Sequence, residues 1–120
     1  MAQVQMLLNQ APGPLPLKGT FICNNDDALD LIVTGTSWKK AGFPSGPIGM
    51  EIYVYDKNNK SVGYTSGVVD SGLPAERKAV VSQFVQLKLT IGETYSFVVQ
   101  PLYPEVGSDA NDRFTATIVY

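Results

Sequence analysis

Apolar and polar residues alternate along much of the chain. In Met50-Glu51-Ile52-Tyr53-Val54-Tyr55 the alternation turns Met50, Ile52 and Val54 to one side and Glu51, Tyr53 and Tyr55 to the other. Residues 28–36 put Leu29, Leu31 and Val33 on one face, with Asp30, Thr34 and Thr36 opposite and Ile32 among them. Residues 114–120 repeat the pattern with Phe114, Ala116 and Ile118. Residues 94–99 group Tyr95, Phe97 and Val99, and residues 84–89 group Val85, Leu87 and Leu89 against Gln86 and Lys88. A period of two with β-branched and aromatic residues is the mark of half-buried strands. Residues 2–9, 17–23 and 61–65 add three more, for about eight strands in all.

Glycine and proline punctuate these segments. Ala11-Pro12-Gly13-Pro14-Leu15-Pro16 separates an N-terminal strand from the rest, and its prolines favour an extended, solvated connector. Residues 42–49 predict a long Gly/Pro loop. Asp56-Lys57-Asn58-Asn59-Lys60 predicts a hairpin between its flanking strands, because Asn tolerates left-handed backbone angles. Ile91-Gly92-Glu93 predicts a second hairpin. The one helical candidate is a single turn at Pro74-Ala75-Glu76-Arg77-Lys78. The expected fold is all-β: an antiparallel two-sheet sandwich of about eight strands, of jelly-roll or related Greek-key type, with at most one helical turn. A closed barrel is the alternative.

Composition narrows the function more than the fold. A chain of 120 residues predicts one domain over residues 1–120, of which 1–16 are the N-terminal strand or arm with its connector. Hydrophobic residues are 44% and charged ones 17%, which is globular and not disordered. A net charge of -2 without a basic patch argues against a nucleic-acid partner. There is no histidine, which removes Ser-His-Asp and Cys-His catalysis and His-ligated zinc. The single cysteine, Cys23, has no second thiol to pair with and reads as a small buried hydrophobe. No apolar run reaches the length of a membrane span. The first residues lack the charged and apolar regions of a signal peptide, so the default location is cytoplasmic, with release or non-classical export open.

Two loops gather oxygen ligands: Asn24-Asn25-Asp26-Asp27, and Glu105-Val106-Gly107-Ser108-Asp109-Ala110-Asn111-Asp112. Calcium takes six to eight oxygens from such groups, which makes Glu105, Asp109, Asn111 and Asp112 candidate ligands; Asn, Asp, Gly and Ser are equally the residues that turns are made of. Tyr53 and Tyr55 should face outward, with Tyr64 across the hairpin, as a flat amphipathic platform for a sugar ring or a partner. The same rings would also serve cross-strand packing or a subunit contact. Trp38 either stacks on a ligand or plugs one end of the sandwich, and the plug is the commoner fate of a large aromatic. Tyr103, between Pro101 and Pro104, is a further stacking candidate. Carboxylate pairs such as Glu51 with Asp30 can be named, but no spacing selects them and no phosphate-cradling motif is present, so the chain is not expected to be an enzyme.

The stretch Leu102-Tyr103-Pro104-Glu105-Val106-Gly107-Ser108-Asp109-Ala110-Asn111-Asp112-Arg113-Phe114-Thr115-Ala116-Thr117-Ile118 resembles the end of small calcium-dependent galactophilic bacterial lectins, as does Leu31-Ile32-Val33-Thr34-Gly35-Thr36-Ser37-Trp38 before its long loop. The resemblance implies a β-sandwich in which Asn111 and Asp112 hold calcium and Tyr103 and Glu105 complete the site. This sequence has Asn111-Asp112 where the family has paired Asn, and it has no counterpart of the family's sugar-contacting histidine. The expected function is non-catalytic binding, lectin-like, through loops at one end of the sandwich, with Trp38, Tyr53, Tyr55, Tyr103 and Asn111 as ligand contacts. The alternative is a structural or assembly protein, such as a jelly-roll head, a fibre tip or a toxin-associated domain. Its partners would be a saccharide or a protein surface, and it would form a homo-oligomer.

Overall fold

The computed structural model describes residues 3–24, 28–73 and 75–120. Asn25, Asp26 and Asp27 of the first acidic loop, and Pro74 of the helical candidate, lie outside the described residues. Nine strands are described: β1 (Val4–Pro12), β2 (Leu17–Ile22), β3 (Leu29–Lys39), β4 (Pro47–Tyr55), β5 (Ser61–Asp70), β6 (Lys78–Leu87), β7 (Thr94–Pro101), β8 (Val106–Gly107) and β9 (Arg113–Val119). There is no helix among the described residues. In place of the helical turn, Ala75 takes φ 61° in a tight turn and Lys78 already begins β6.

The pairings are nested. β1 pairs with β9, β2 with β7, β3 with β6 and β4 with β5, all antiparallel. The chain is thus one long ribbon whose tip is the turn at residues 56–60, wrapped so that alternate pairs fall into two sheets. One sheet has the order β1-β9-β3-β6, with β8 attached to β3; the other has the order β2-β7-β4-β5. This is the jelly-roll sandwich. At the ribbon tip, Asn59 adopts φ 61° and Asp56 Oδ1 accepts the backbone N–H groups of Asn58 and Lys60 (2.8 and 2.9 Å). The predicted hairpin there is present. The segment around Ile91-Gly92-Glu93 is not a hairpin: β6 and β7 belong to different sheets, so it is a crossover.

The inward faces are Leu29, Leu31 and Val33 of β3, Met50, Ile52 and Val54 of β4, Tyr95, Phe97 and Val99 of β7, and Phe114, Ala116 and Ile118 of β9, all buried. Strand β6 departs from expectation. Its inward residues are Val80, Ser82 and Phe84, while Val85 is exposed. Gln86 has φ 54°, its N–H bonds Asp30 Oδ1 (2.9 Å), and the ladder slips between Leu29/Leu87 and Leu31/Phe84. This bulge inverts the alternation, so Leu87 and Leu89 return to the core and Val85 does not.

The sheets meet most closely where β5 passes β6. A Cβ on Gly67 would stand 2.0 Å from the Val81 carbonyl oxygen, so only glycine lets the two backbones approach this far. Next to it, the buried Ser82 hydroxyl donates to the Met50 carbonyl across the core (2.9 Å). The proline-rich connector after β1 is not free in solvent. Gly13 N–H bonds the Asp112 carbonyl (2.8 Å), and Leu15 N–H bonds Ser108 Oγ (2.9 Å).

Candidate functional site

The outer face of the four-stranded sheet follows from the pleat. With the odd residues of β2 and β7 turned inward, Lys18 and Thr20, and Ser96 and Val98, point out. On β4 the even residues turn in, which leaves Glu51, Tyr53 and Tyr55 outside. The register sets them in rows: Thr20, Ser96 and Tyr55 in one, Lys18, Val98, Tyr53 and Tyr64 in the next. The Tyr53 and Tyr55 rings stack at 6.2 Å, and Tyr64 leans on Tyr53 at 4.9 Å. Tyr64 Oη donates to Glu51 Oε1 (3.1 Å). Partial desolvation, with the Glu51 carboxylate adding to it, pushes the Tyr53 and Tyr64 phenols up, so both are neutral at pH 7.

Beside this cluster runs a groove of about 580 Å³, open to solvent, whose walls include Lys18, Thr20, Ser96, Val98, Tyr55 and Asn59. Tyr55 supplies an aromatic wall, Val98 an apolar floor, and Thr20, Ser96 and Asn59 supply hydroxyl and amide groups that both donate and accept hydrogen bonds. A largely apolar concavity with a few convergent polar groups is the usual build of a small-ligand site.

The second cluster lies on the other sheet. Trp38 projects outward from β3, and Arg77 Cζ stands 5.4 Å from its ring centroid. Gly107, its partner across the β3–β8 ladder, lies against the same ring: a Cβ there would come within 2.5 Å of it. The indole Nε1 donates to Asp112 Oδ2 (2.9 Å). Asp112 is fully buried (0% exposed) and also accepts from Thr36 Oγ1 (2.5 Å), Arg77 Nε (3.0 Å) and Asp109 N–H (2.8 Å). Burial works against its ionisation, but donation from Thr36, Trp38, the Asp109 amide and Arg77 outweighs it, and the carboxyl titrates below the ordinary range. Arg77 Nη2 reaches Asp109 Oδ2 as well (2.8 Å), and these two acceptors raise the guanidinium further.

The predicted site residues therefore separate. Tyr53 and Tyr55 stand on the groove face. Trp38, Asp109 and Asp112 come together on the opposite sheet around the Arg77 guanidinium, with Asn111 in the same loop. Asn111 is exposed and its N–H bonds Asp109 Oδ1 (2.8 Å). Glu105 faces the buried ammonium of Lys39 (3.7 Å), which also donates to the Pro47 carbonyl (3.2 Å). Tyr103 is exposed on the loop between β7 and β8. Among the described residues, no three Asp, Glu, Cys or His side chains form a group that could hold a metal ion. Glu51 and Asp30 lie on different sheets, and each carboxylate is already engaged, with Tyr64 and Gln86.

Sequence reasoning missed Lys18, Thr20 and Ser96, which single out nothing in their own strands, and took Asn59 for a turn residue alone. It also missed Arg77, whose bond to Asp112 spans 35 residues.

No family model matches the chain, and no curated protein matches it in sequence. Among solved structures, it is similar to a chain of the tripod from the baseplate of bacteriophage Tuc2009, with TM-score 0.56 and 15% identity over 98% of this chain and 62% of that one. It is also similar to a chain of infectious bursal disease virus, Gx strain, with TM-score 0.53 and 10% identity over 100% of this chain and 32% of that one. A looser likeness, TM-score 0.40 at 13% identity, covers 98% of this chain and 51% of a structure of carbohydrate-binding modules from the β-sandwich superfamily. The chain spans less than two thirds of each of these relatives, and the likenesses above a TM-score of 0.5 establish the sandwich fold alone.

Proposed function

We propose that this chain is a non-catalytic binding module that takes a saccharide into the groove on the outer face of its four-stranded sheet. One observation carries the reading: the groove sets the half-buried ring of Tyr55 beside the hydroxyls of Thr20 and Ser96 and the amide of Asn59. A pyranose has the matching chemistry, with an apolar C–H face to lie on the ring and hydroxyls at its rim to exchange hydrogen bonds. Tyr53 stacks on Tyr55 and is itself backed by the tilted ring of Tyr64, so little side-chain freedom is lost on binding. The reading moves recognition from the loops at one end of the sandwich to a sheet face, and it needs no metal. It is tested by calorimetry with glycans selected on an array. Tyr55→Ala should weaken binding about tenfold, equivalent to about 1.4 kcal/mol, while Trp38→Phe leaves it unchanged. The opposite pattern would return the site to the Trp38 end.

A second reading, assembly with further copies of the chain, is favoured by a different face. Outside the five-stranded sheet, Val4 and Met6 of β1 align with Val119 and Thr117, and Val81 of β6 aligns with Thr34. Val4, Met6 and Val81 are all more than half exposed. Light scattering on the chain and on its Met6→Asp variant decides it. A multimer that falls to monomer supports subunit contact through this face, and a monomer in both removes it.

A further inference from the structure

The groove contains one charged side chain. Lys18 is exposed on β2 and, like Lys40, Lys60, Lys88 and Arg113, forms none of the ion pairs among the described residues; what sets it apart is its place in the wall of the groove. The nearest outward carboxylate on the same face, Glu51, is two strands and two residues away, about 12 Å by strand spacing, and it already accepts the Tyr64 hydroxyl. Lys57, at the ribbon tip, is held by Glu93 (3.1 Å). The groove thus presents one unneutralised ammonium two strand widths from the β4 tyrosines, with Val98 between it and Tyr53 and the hydroxyls of Thr20 and Ser96 in the next row.

We propose, resting on the saccharide reading of this groove, that its ligand is an acidic sugar. A carboxylate or phosphate carried by the sugar would meet the Lys18 ammonium while the neighbouring ring lies on Tyr55. The spacing suits this. β2 and β4 are two strand widths apart, about 10 Å, and the flexible stem of lysine covers part of that distance from one side while a ring on Tyr55 covers part from the other. An ammonium is a compact charge without the planar fork of arginine, so it tolerates either a carboxylate or a phosphate. A neutral sugar could accept hydrogen bonds from Lys18 but would leave its charge unmatched.

Lysine on an edge strand also serves to keep other strands off that edge. The two duties separate experimentally. The whole chain is applied to an array of neutral, uronic-acid and sugar-phosphate oligosaccharides, and the best acidic binder is then titrated against its methyl ester or its dephosphorylated counterpart. Wild type, Lys18→Gln and Tyr55→Ala are compared. The expected result is that acidic glycans lead. Lys18→Gln should then lose about tenfold for the acidic glycan and nothing for the neutral counterpart, and rising salt should weaken only the acidic one. Whether uronates or sugar phosphates lead distinguishes the source of the charge. If neutral glycans lead and Lys18→Gln changes only self-association, the charge inference is overturned and the saccharide reading stands. If no glycan binds wild type at millimolar concentration, both fall.

Discussion

Asp112 is the residue on which the chemistry of the 108–112 loop turns. Its two oxygens accept four donors from β3, from its own loop and from Arg77, which satisfies a carboxylate that has lost all contact with water. Removing one partner of a buried charge cluster leaves the others uncompensated, at about 3 kcal/mol. Asp112→Asn should therefore lower the melting temperature by about 10 °C in a chain of this size. The sign of the pH dependence follows from the depressed carboxyl. A folded value below the unfolded one means that the stabilisation is complete above the unfolded value, near pH 4, and is lost as pH falls through the folded one. Melting should be flat from about pH 5 upward with respect to this group. Below about pH 4 it should drop, and Asp112→Asn should blunt that drop. An unchanged acid limb in the variant would place the acid sensitivity elsewhere. Trp38→Phe removes the indole N–H together with part of the ring that packs on Gly107 and Arg77, and leaving one oxygen short of a donor should by itself cost about 1 to 2 kcal/mol.

The elements show why some of the fold could be read in advance and some could not. β3, β4, β7 and β9 have clean alternation because each buries one face and wets the other, and their inward residues are those the pattern selects. β6 defeats the pattern twice. It buries a serine that finds a partner across the core, and it exposes Val81 and Val85, the latter next to a bulge that flips the phase. The crossover at residues 88–93 carries turn chemistry just as a hairpin does, so only tertiary pairing tells the two apart. The site divides in the same way. Tyr53 and Tyr55 share a face by period alone, whereas Lys18, Thr20 and Ser96 reach them only through the order β2-β7-β4, which no local signal encodes. The close pass of β5 over β6 gives the prediction that belongs to this scale. Gly67→Val would force a side chain into the Val81 backbone, where nothing flexible can give way. The expected loss is more than about 3 kcal/mol, seen as a broad or absent unfolding transition. Gly42→Ala, at a glycine with nothing within 4 Å but φ 89°, should cost only about 1 kcal/mol.

At the scale of the whole molecule, the acidic groups of the 105–112 loop that look like cation ligands in the sequence are instead matched with the chain's own cations. Arg77 bridges Asp109 and Asp112, and Lys39 faces Glu105. A divalent ion at this end would have to displace a guanidinium, and it would compete with Thr36 and Trp38 for a carboxylate that is already fully donated to. Calcium at 100 times the dissociation constant of a real site would add about 2.7 kcal/mol of stability. In a domain of this size that is a rise of about 10 °C. The charge pairing leads us to expect no such rise: melts in excess calcium and in EDTA should coincide. A calcium-dependent shift of that size would mean that Arg77 swings away and the loop opens into an oxygen cage. In that case Arg77→Met, which removes the competing cation, should enlarge the shift. If the melts coincide, Arg77→Met should instead lower stability, since two carboxylates would then face each other without their guanidinium. Wild type and Arg77→Met together thus separate a loop built to hold a metal from one built to be neutralised within the chain, and neither behaviour should carry over to the groove on the opposite sheet.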